Sequence, residues 1–277
     1  MKCLFVSDLH GCKDRYRSLF KRVEDGGIDV VLLGGDLLPP VGDVPEFISA
    51  ELLSPISQLR DRGHGIEFFA IMGNDDPRFY EHTFIEADKD MIFHLLHERV
   101  VRMGEIFFAG YPFVPPTPFR LKDWERYDVS QHVDPGCVSP LEGYRTLEVD
   151  LKRIRYETIL NDLEKLSARS DPRRTVYLFH SPPYRTNLDR ADLDGIMVDH
   201  VPMDLHVGSI AIRRFIEDHS PLITLHGHIH ESARITGSWK DTIGDTHMFT
   251  AAHDGKELAA VLFDTKRPEE AERELLI

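Results

Sequence analysis

The sequence predicts an α/β fold. Short apolar runs of strand length alternate with longer segments whose apolar residues recur at helical spacing, a pattern typical of layered α/β proteins. Five of the apolar runs end abruptly in aspartate, asparagine or histidine; they cover residues 3–6, 30–33, 68–72, 176–179 and 222–225. Open α/β sheets place their active sites at the carboxyl ends of buried strands, so these runs predict a polar site there.

The first half of the chain is predicted to form strand–helix units. Residues 2–7 form a buried strand, and residues 13–24 form a helix because their apolar residues face one side. Gly26-Gly27 ends this helix, since glycine can adopt the left-handed cap conformation. The same reasoning predicts a strand, a helix and a third strand over residues 28–33, 46–61 and 66–72.

The second half has a less regular pattern. Residues 91–110 predict short strands around a turn at Met103-Gly104, and residues 147–167 predict one amphipathic helix. The residues expected on the inward face of that helix are Leu151, Ile154, Ile159, Leu163 and Leu166. Further strands and a helix are expected at residues 175–179, 208–219, 222–225, 248–250 and 258–263. The charged tail that follows is compatible with a helix.

Two long segments interrupt the alternation. Residues 111–147 are rich in proline, aromatic and acidic residues, and we interpret them as an insertion or lid. Residues 181–207 form a second long loop. Loops of this length are usually functional or disordered, so the insertion is either a cover that sets substrate choice or a surface excursion. We expect one domain over residues 1–277 that carries both segments.

Composition limits the possible functions. The net charge of -14 opposes general nucleic-acid binding, which needs lysine and arginine against phosphate. A small anionic substrate stays possible, because bound divalent cations would dominate the local field. The three cysteines form no CxxC pair, the amino terminus enters a strand at once, and no apolar run reaches the length of a membrane span. These features predict a protein that is located in the reducing cytoplasm and has no membrane partner.

The polar residues at the strand ends share the chemistry of metal ligands. Carboxylate, imidazole and amide donors suit first-row divalent metals, which indicates a two-metal hydrolase. The candidates are Asp8, His10, Asp36, Asn74, His180, His228 and His230. The alternative is that individual members are satisfied polar residues at strand ends, and Asn74 is the member for which a turn role is most plausible.

The order of these residues resembles that of the calcineurin-like metallophosphoesterases, in particular their small prokaryotic phosphodiesterase-like members. The resemblance covers residues 3 to about 231 and rests on Asp8-x-His10, Gly35-Asp36, Gly73-Asn74, His180 and Gly227-His228-x-His230. It implies a four-layer α/β/β/α sandwich with two central mixed sheets flanked by helices. It also implies one metal held by Asp8, His10 and His230, a second held by Asn74, His180 and His228, and Asp36 bridging the two.

The resemblance further implies the reaction. Two metal ions clamp the phosphoryl group of a small phosphate ester, and a metal-bridging hydroxide attacks phosphorus in line with the leaving oxygen. Mn, Fe, Zn, Ni and Co all fit mixed nitrogen and oxygen ligands, and we favour Mn.

One residue departs from the family pattern. The family commonly has Gly-Asn-His-Asp/Glu, whereas this chain has Asp75 in place of the histidine that contacts phosphate. An ionised Asp75 would repel a phosphate monoester dianion more than a diester monoanion, so we expect a phosphodiesterase. Asn74 and Arg78 are candidate phosphate contacts, although Arg78 also fits a surface position. Asp76, His226 and Glu231 are candidates for supporting the ligands, for example by accepting the second ring N–H of a histidine.

Three alternatives remain open at the level of sequence. The same site could serve a phosphomonoesterase or a nuclease, although the acidic charge counts against the latter. A non-catalytic metal-binding scaffold is the contrasting class, and it would retain the fold and the metal without turnover.

Overall fold

Two six-stranded mixed sheets lie face to face in the computed structural model, which describes residues 1–277 apart from the side chain of Val201. The elements up to residue 111 follow in chain order. They are β1 (Lys2–Val6), α1 (Lys13–Glu24), β2 (Val30–Gly34), α2 (Val44–Phe47), a π-helical stretch (Ile48–Leu53), α3 (Ser54–Asp61), β3 (Glu67–Ile71), a 3₁₀ turn (Arg78–Tyr80), α4 (Glu81–Lys89), β4 (His94–Leu95), β5 (Arg99–Met103) and β6 (Ile106–Tyr111).

The rest of the chain supplies the remaining strands of both sheets. Its elements are α5 (Leu151–Tyr156), α6 (Ile159–Ser167), a 3₁₀ turn (Pro172–Arg174), β7 (Thr175–Phe179), β8 (Met197–Val198), β9 (Val201–Pro202), α7 (Ile210–His219), β10 (Ile223–His226), α8 (Ser232–Thr236), β11 (Lys240–Ile243), β12 (Thr246–Thr250), β13 (Leu258–Asp264) and β14 (Arg267–Leu276).

Parallel strands occupy the centre of each sheet. The first sheet has the order β14-β13-β1-β2-β3-β4, and its strands β1 to β4 are parallel. The second sheet has the order β11-β12-β10-β7-β6-β5, in which β12, β10, β7 and β6 are parallel. Antiparallel strands complete the edges. Each sheet therefore brings several carboxyl strand ends to one edge.

Alternation along the strands builds the layers. In β1, Cys3 and Phe5 join the core between the sheets, whereas Leu4 and Val6 join the core under the helices. This is the period of two that a strand buried on both faces requires. Phe69 of β3 and Phe108 of β6 stack across the sheet interface with ring centroids 4.6 Å apart.

Helices cover the outer face of each sheet. Phe20 of α1 contacts Phe68 of β3 on the first sheet, and Phe215 of α7 contacts Tyr177 and Phe179 of β7 on the second. The prediction of two mixed sheets flanked by helices is confirmed. Among the residues that the structure describes, none of the helices combines the length and apolarity needed to cross a bilayer.

Two sequence predictions about secondary structure are wrong. The single helix over 147–167 is two helices, α5 and α6, because Thr158 is extended and its side chain caps α6 by accepting from Asn161 N. Ile159, Leu163 and Leu166 are buried as expected, but Leu151 is 60% exposed and Ile154 is half-buried. The charged tail is the strand β14, which pairs antiparallel with β13. Charged side chains suit an exposed edge strand, since they oppose pairing with another chain.

The two long segments pack against the sheets by irregular contacts. Within residues 112–150, isolated bridges join Val114 to Glu125 and Leu121 to Tyr144. The second segment contains the hairpin of β8 and β9. That residues 1–277 form one domain with an insertion or lid stays a prediction.

The stacked pair between the sheets predicts a large and face-specific loss of stability. Phe108→Ala should lower the free energy of unfolding by about 3–5 kcal/mol, because Phe108 is fully buried against Phe69. Phe107→Ala is the matched control, since its half-buried ring lies on the other face beneath Arg102. Chemical denaturation measures both variants, and equal losses would contradict this account of the core.

Candidate metal centre

The carboxyl ends of five strands bring seven polar side chains together, and we call the space between them the cleft. Asp8 and His10 follow β1, and Asp36 and Asn74 follow β2 and β3 in the first sheet. In the second sheet, His180 follows β7, whereas His228 and His230 follow β10. All seven residues proposed from the sequence thus lie where the two parallel sets of strands end.

One group in this cleft consists of Asp8, His10 and His230. Their donor atoms lie within 4.8 Å of one another. His230 Nε2 lies 3.3 Å from Asp8 Oδ1 and 3.2 Å from His10 Nε2. Two imidazole nitrogens facing each other can share at most one proton, so a cation between them would satisfy both lone pairs.

A second group consists of Asp36, His180 and His228, with Asn74 beside it. Its carboxylate and ring nitrogens also lie within 4.8 Å of one another. His180 Nε2 is 3.2 Å from Asp36 Oδ2 and 3.0 Å from Asn74 Oδ1. The Asn74 amide therefore turns its carbonyl oxygen, its only ligand-competent atom, towards this group.

Asp36 lies between the two groups. Its Oδ2 atom is 3.2 Å from His180 Nε2 and 3.9 Å from His10 Nε2, while its Oδ1 atom accepts from Asp75 N at 2.8 Å. The donor set fits divalent first-row metals, because converging imidazole, carboxylate and amide donors are the ligands these ions prefer.

The loops that carry these residues have unusual backbones. Asp8, His10, Asp36 and His228 all have positive φ angles, at 57°, 47°, 53° and 72°. Non-glycine residues in this region are strained and persist only where surrounding contacts hold them. Here Asp8 N donates to Gly35 O at 3.0 Å, and His10 N donates to Asp36 O at 2.7 Å. The loop after β1 and the loop after β2 therefore hold each other in place.

Asp76 contacts backbone groups rather than a histidine ring. Its buried carboxylate accepts from Gly73 N at 2.9 Å, Leu37 N at 2.9 Å and Leu38 N at 2.7 Å. It thereby joins the loop of Asp36 to the loop of Asn74. Burial and the neighbouring charge of Asp36 raise the pKa of Asp76 to about 7.

The other two proposed supporting residues also contact the backbone. His226 is fully buried and its Nδ1 lies 2.9 Å from Ser181 O, and burial lowers its pKa to about 3. Glu231 Oε1 accepts from Asp192 N at 3.1 Å. The second ring nitrogen of His180 faces a carbonyl, Gly34 O, at 2.9 Å.

Asp75 lies at the mouth of the cleft, and its side chain is 50% exposed. Its Oδ1 atom accepts from Asn74 Nδ2 at 3.0 Å, which fixes the orientation of the Asn74 amide. Its Oδ2 atom is 3.7 Å from His10 Nδ1. The carboxylate of Asp75 also lies within 4.8 Å of donor atoms of His10 and Asp36, so its charge is part of the centre.

Arg78 makes contacts beside the cleft. Its Nε donates to Glu81 Oε2 at 2.8 Å, and its guanidinium lies over the ring of Trp124 at 4.9 Å. A phosphate contact by Arg78 stays a prediction.

Charge pairing dominates the electrostatics of the cleft. Burial by itself would raise the pKa of Asp8 and Asp36, but the facing histidines lower both. Burial by itself would lower the pKa of His180, but the carboxylates of Asp36 and Asp8 raise it to about 10. Burial and the charge of His180 lower the pKa of His228 to about 3.

Sequence reasoning missed Arg15. Its Nη1 donates to Asp8 O at 2.6 Å, and its Nη2 donates to Gly255 O at 2.7 Å. Arg15 therefore joins the loop that carries Asp8 to the loop that carries Gly255, near the other end of the chain. An arginine in the first turns of an amphipathic helix carries no signal that distinguishes it from a solvated residue.

Comparisons with known proteins place this arrangement in a family. Residues 1–232 match the calcineurin-like phosphoesterases. The chain is 28% identical over 251 residues to an uncharacterized protein of Methanocaldococcus jannaschii, a match that covers 89% of this chain and 85% of that protein.

Two solved structures share the fold. TT1561 of Thermus thermophilus is 16% identical with a TM-score of 0.59, and the match covers 99% of this chain and 98% of that one. A dimetal phosphatase from Danio rerio is 13% identical with a TM-score of 0.54, and the match covers 94% of this chain and 92% of that one.

Gly73 gives a steric test of the centre. In Gly73→Ala, the new Cβ would lie 2.3 Å from Asp36 Oδ1 and 2.7 Å from His180 Nε2. We expect metal binding to weaken by about tenfold to hundredfold, as when supporting groups around metal ligands are disturbed. Gly65→Ala is the control, because a Cβ there meets nothing within 4 Å. Metal content and titration calorimetry measure both; unchanged binding in Gly73→Ala would contradict the ligand assignment.

The raised pKa of His180 predicts proton release on metal binding. With a pKa of about 10, His180 is protonated at pH 7 without metal, whereas a ligating imidazole must be neutral. Metal affinity should therefore rise as pH increases from 6 to 9, at most about tenfold per pH unit for one proton. Calorimetry in two buffers with different ionisation enthalpies counts the protons released, and a count of zero at pH 7 would contradict this prediction.

Proposed function

The chain belongs to the calcineurin-like phosphoesterase family, and on that basis we propose that it is a dinuclear phosphodiesterase that acts on small phosphodiesters. Members of this family are metal-dependent phosphoester hydrolases, and the general activity follows from that membership. The preference for diesters and the two-metal state are the proposed parts. The observation that carries the preference is the carboxylate of Asp75 at the mouth of the cleft.

The ligand groups support two metal ions. Asp8, His10 and His230 would hold one ion, and Asn74, His180 and His228 would hold the other, with Asp36 between them. When bound, the ions would act as Lewis acids on the phosphoryl oxygens and activate water as the nucleophile. Mn²⁺ is the ion we favour, and Fe, Zn, Ni and Co suit the same donors.

Contacts within the protein hold the proposed ligand atoms in position for the metal ions. Asp75 N donates to Asp36 Oδ1, His180 Nε2 lies 3.2 Å from Asp36 Oδ2, and Asp75 Oδ1 accepts from Asn74 Nδ2. These contacts are made within the chain, so the ligand atoms need little rearrangement when an ion enters.

The negative charge of Asp75 favours a phosphodiester over a phosphomonoester as substrate. Its charge faces the cleft where the family usually presents an imidazole N–H, so it repels each negative charge that a substrate brings. At 4 Å this repulsion is about 1 kcal/mol per charge even with the screening of bulk water. A monoester dianion carries one more charge than a diester monoanion, which corresponds to a disadvantage of about fivefold.

Other functions fit less well. A nuclease would need basic residues against the phosphate backbone, and the net charge of -14 counts against it. A non-catalytic metal-binding scaffold would keep the ligands and lose turnover, so the activity test below separates it from an enzyme.

Substrate preference is the first test. With protein loaded with Mn²⁺, the kcat/KM for bis-p-nitrophenyl phosphate should exceed that for p-nitrophenyl phosphate by about fivefold or more, for the electrostatic reason given above. Asp36→Ala and His180→Ala should abolish both activities. A protein that binds metal and hydrolyses neither ester would support the scaffold instead, and a monoester preference would overturn the argument from Asp75.

Two substitutions of Asp75 distinguish the effect of its negative charge from the effect of lacking an imidazole N–H. Asp75→His restores the family residue and should raise monoester kcat/KM relative to diester by at least about tenfold, since an imidazole N–H would then replace the repelling carboxylate and donate to the phosphoryl oxygens, which carry one more negative charge in the monoester. Asp75→Asn is the matched control: it removes the charge without adding an imidazole, and should recover only the smaller electrostatic part. If neither substitution changes the ratio of the two activities, Asp75 does not set the preference.

A further inference from the structure

The insertion contacts the loop that carries Asn74 and Asp75. We call residues 73–78 the ligand loop and residues 122–126 of the insertion the supporting segment. Trp124 Nε1 donates to Asp76 O at 2.8 Å, and Asp123 Oδ2 accepts from Arg78 N at 2.8 Å. Trp124 is 1% exposed and Asp123 is 3% exposed, so both contacts are shielded from water.

These contacts add to those of the Asp76 side chain. The carboxylate of Asp76 accepts from Gly73 N within the ligand loop and from Leu37 N and Leu38 N of the loop after β2. The backbone carbonyl oxygen of Asp76 accepts from Trp124. One residue of the loop is thus fixed at both its side chain and its backbone.

His97 extends the support to the start of the ligand loop. Met72 N donates to His97 Nε2 at 3.0 Å, which leaves the proton on Nδ1, 2.8 Å from Glu81 Oε1. The His97 ring packs on Trp124 with centroids 4.7 Å apart. Trp124 therefore contacts both a residue within the ligand loop and a side chain that holds the residue before it.

The supporting segment is itself firmly held. Lys122 and Glu125 are buried and paired at 2.5 Å, and Glu125 also accepts from Thr117 N and Thr117 Oγ1. Val114 N donates to Trp124 O at 2.9 Å, and Arg126 N donates to Val114 O at 3.0 Å. Because Val114 follows shortly after β6, the segment is connected to the second sheet while it contacts a loop of the first.

We propose that the insertion acts as a support for the metal centre, with Trp124 and Asp123 as positioning residues that hold Asn74 and Asp75 through the backbone of Asp76 and Arg78. This role rests on the proposed function of the centre. The insertion would then set the geometry of the ligand loop, which the interpretation as a cover over the site does not require.

The test uses the two tryptophans of the chain. Trp124→Phe removes the N–H donor and keeps an aromatic ring, whereas Trp239→Phe is the control on the second sheet, where Trp239 packs on Phe249. Hydrogen–deuterium exchange is measured without added metal. Amides of residues 73–78 should exchange about threefold to tenfold faster in Trp124→Phe, the effect expected for one lost hydrogen bond, and should be unchanged in Trp239→Phe. Equal exchange in the two variants overturns the proposal.

Kinetics provide a readout that a merely structural role would not change. With Mn²⁺, Trp124→Phe should bind metal more weakly and show a lower kcat for bis-p-nitrophenyl phosphate at an unchanged KM, and Trp239→Phe should match the unmodified protein. If Trp124→Phe does not fold, Asp123→Asn replaces it. Asp123 accepts from Arg78 N with Oδ2 and from Thr146 N with Oδ1, whereas asparagine has only one side-chain oxygen and loses one of these bonds. If Trp124→Phe exchanges faster but the protein never binds metal, the insertion does support the ligand loop and the proposed function is wrong. Failure of the support proposal and failure of the proposed function are therefore distinguishable.

Discussion

Two buried carboxylates, Asp8 and Asp36, impose the constraint on which the rest of the structure depends. They are 1% and 2% exposed, and an ionised carboxylate removed from water is strongly destabilising unless cations or donors face it. His230 and His180 face them at 3.3 Å and 3.2 Å. Because Asp8 and Asp36 follow the first sheet and the histidines follow the second, the packing of the sheets and the pairing of the charges stabilise each other.

The strained loops carry the same two carboxylates. Asp8 and Asp36 have left-handed backbone conformations, and their side chains face His230 and His180 of the second sheet. The cost of that backbone conformation is offset by hydrogen bonds between neighbouring loops and by Asp76, whose carboxylate accepts three backbone N–H groups.

Asp75 combines an observed contact with a proposed electrostatic role. Its Oδ1 atom accepts from Asn74 Nδ2, which turns the Asn74 oxygen towards His180. We propose that its charge also disfavours substrates that carry a second negative charge. A substitution that removes both the charge and the Oδ1 acceptor, such as Asp75→His, therefore changes substrate repulsion and ligand orientation together, whereas Asp75→Asn keeps an oxygen that can accept from Asn74. Metal affinity and the ratio of diester to monoester hydrolysis separate the two effects, because only the ratio depends on the charge of the substrate.

Much of the fold and the site could be predicted from the sequence. Apolar runs that end in Asp, Asn or His indicate both the strands and the edge at which polar residues collect, since these signals are local. The order of the motifs was enough to identify the family to which residues 1–232 belong. What each ligand contacts, and which metal it would hold, is a separate matter that local pattern does not address.

Features that depend on contacts between distant segments became visible in the three-dimensional structure alone. Thr158 splits one amphipathic pattern into two helices through a cap, and β14 is a strand because β13 offers it an unpaired edge. Asp76 accepts from backbone groups of another loop, and Trp124 reaches a carbonyl 48 positions earlier in the chain. From the sequence pattern one could predict the five strands that end in candidate ligands, the polar residues at those ends and their order. The partners of those residues follow from how the two sheets and the insertion pack, because a hydrogen bond between distant segments leaves no periodic signal along the chain.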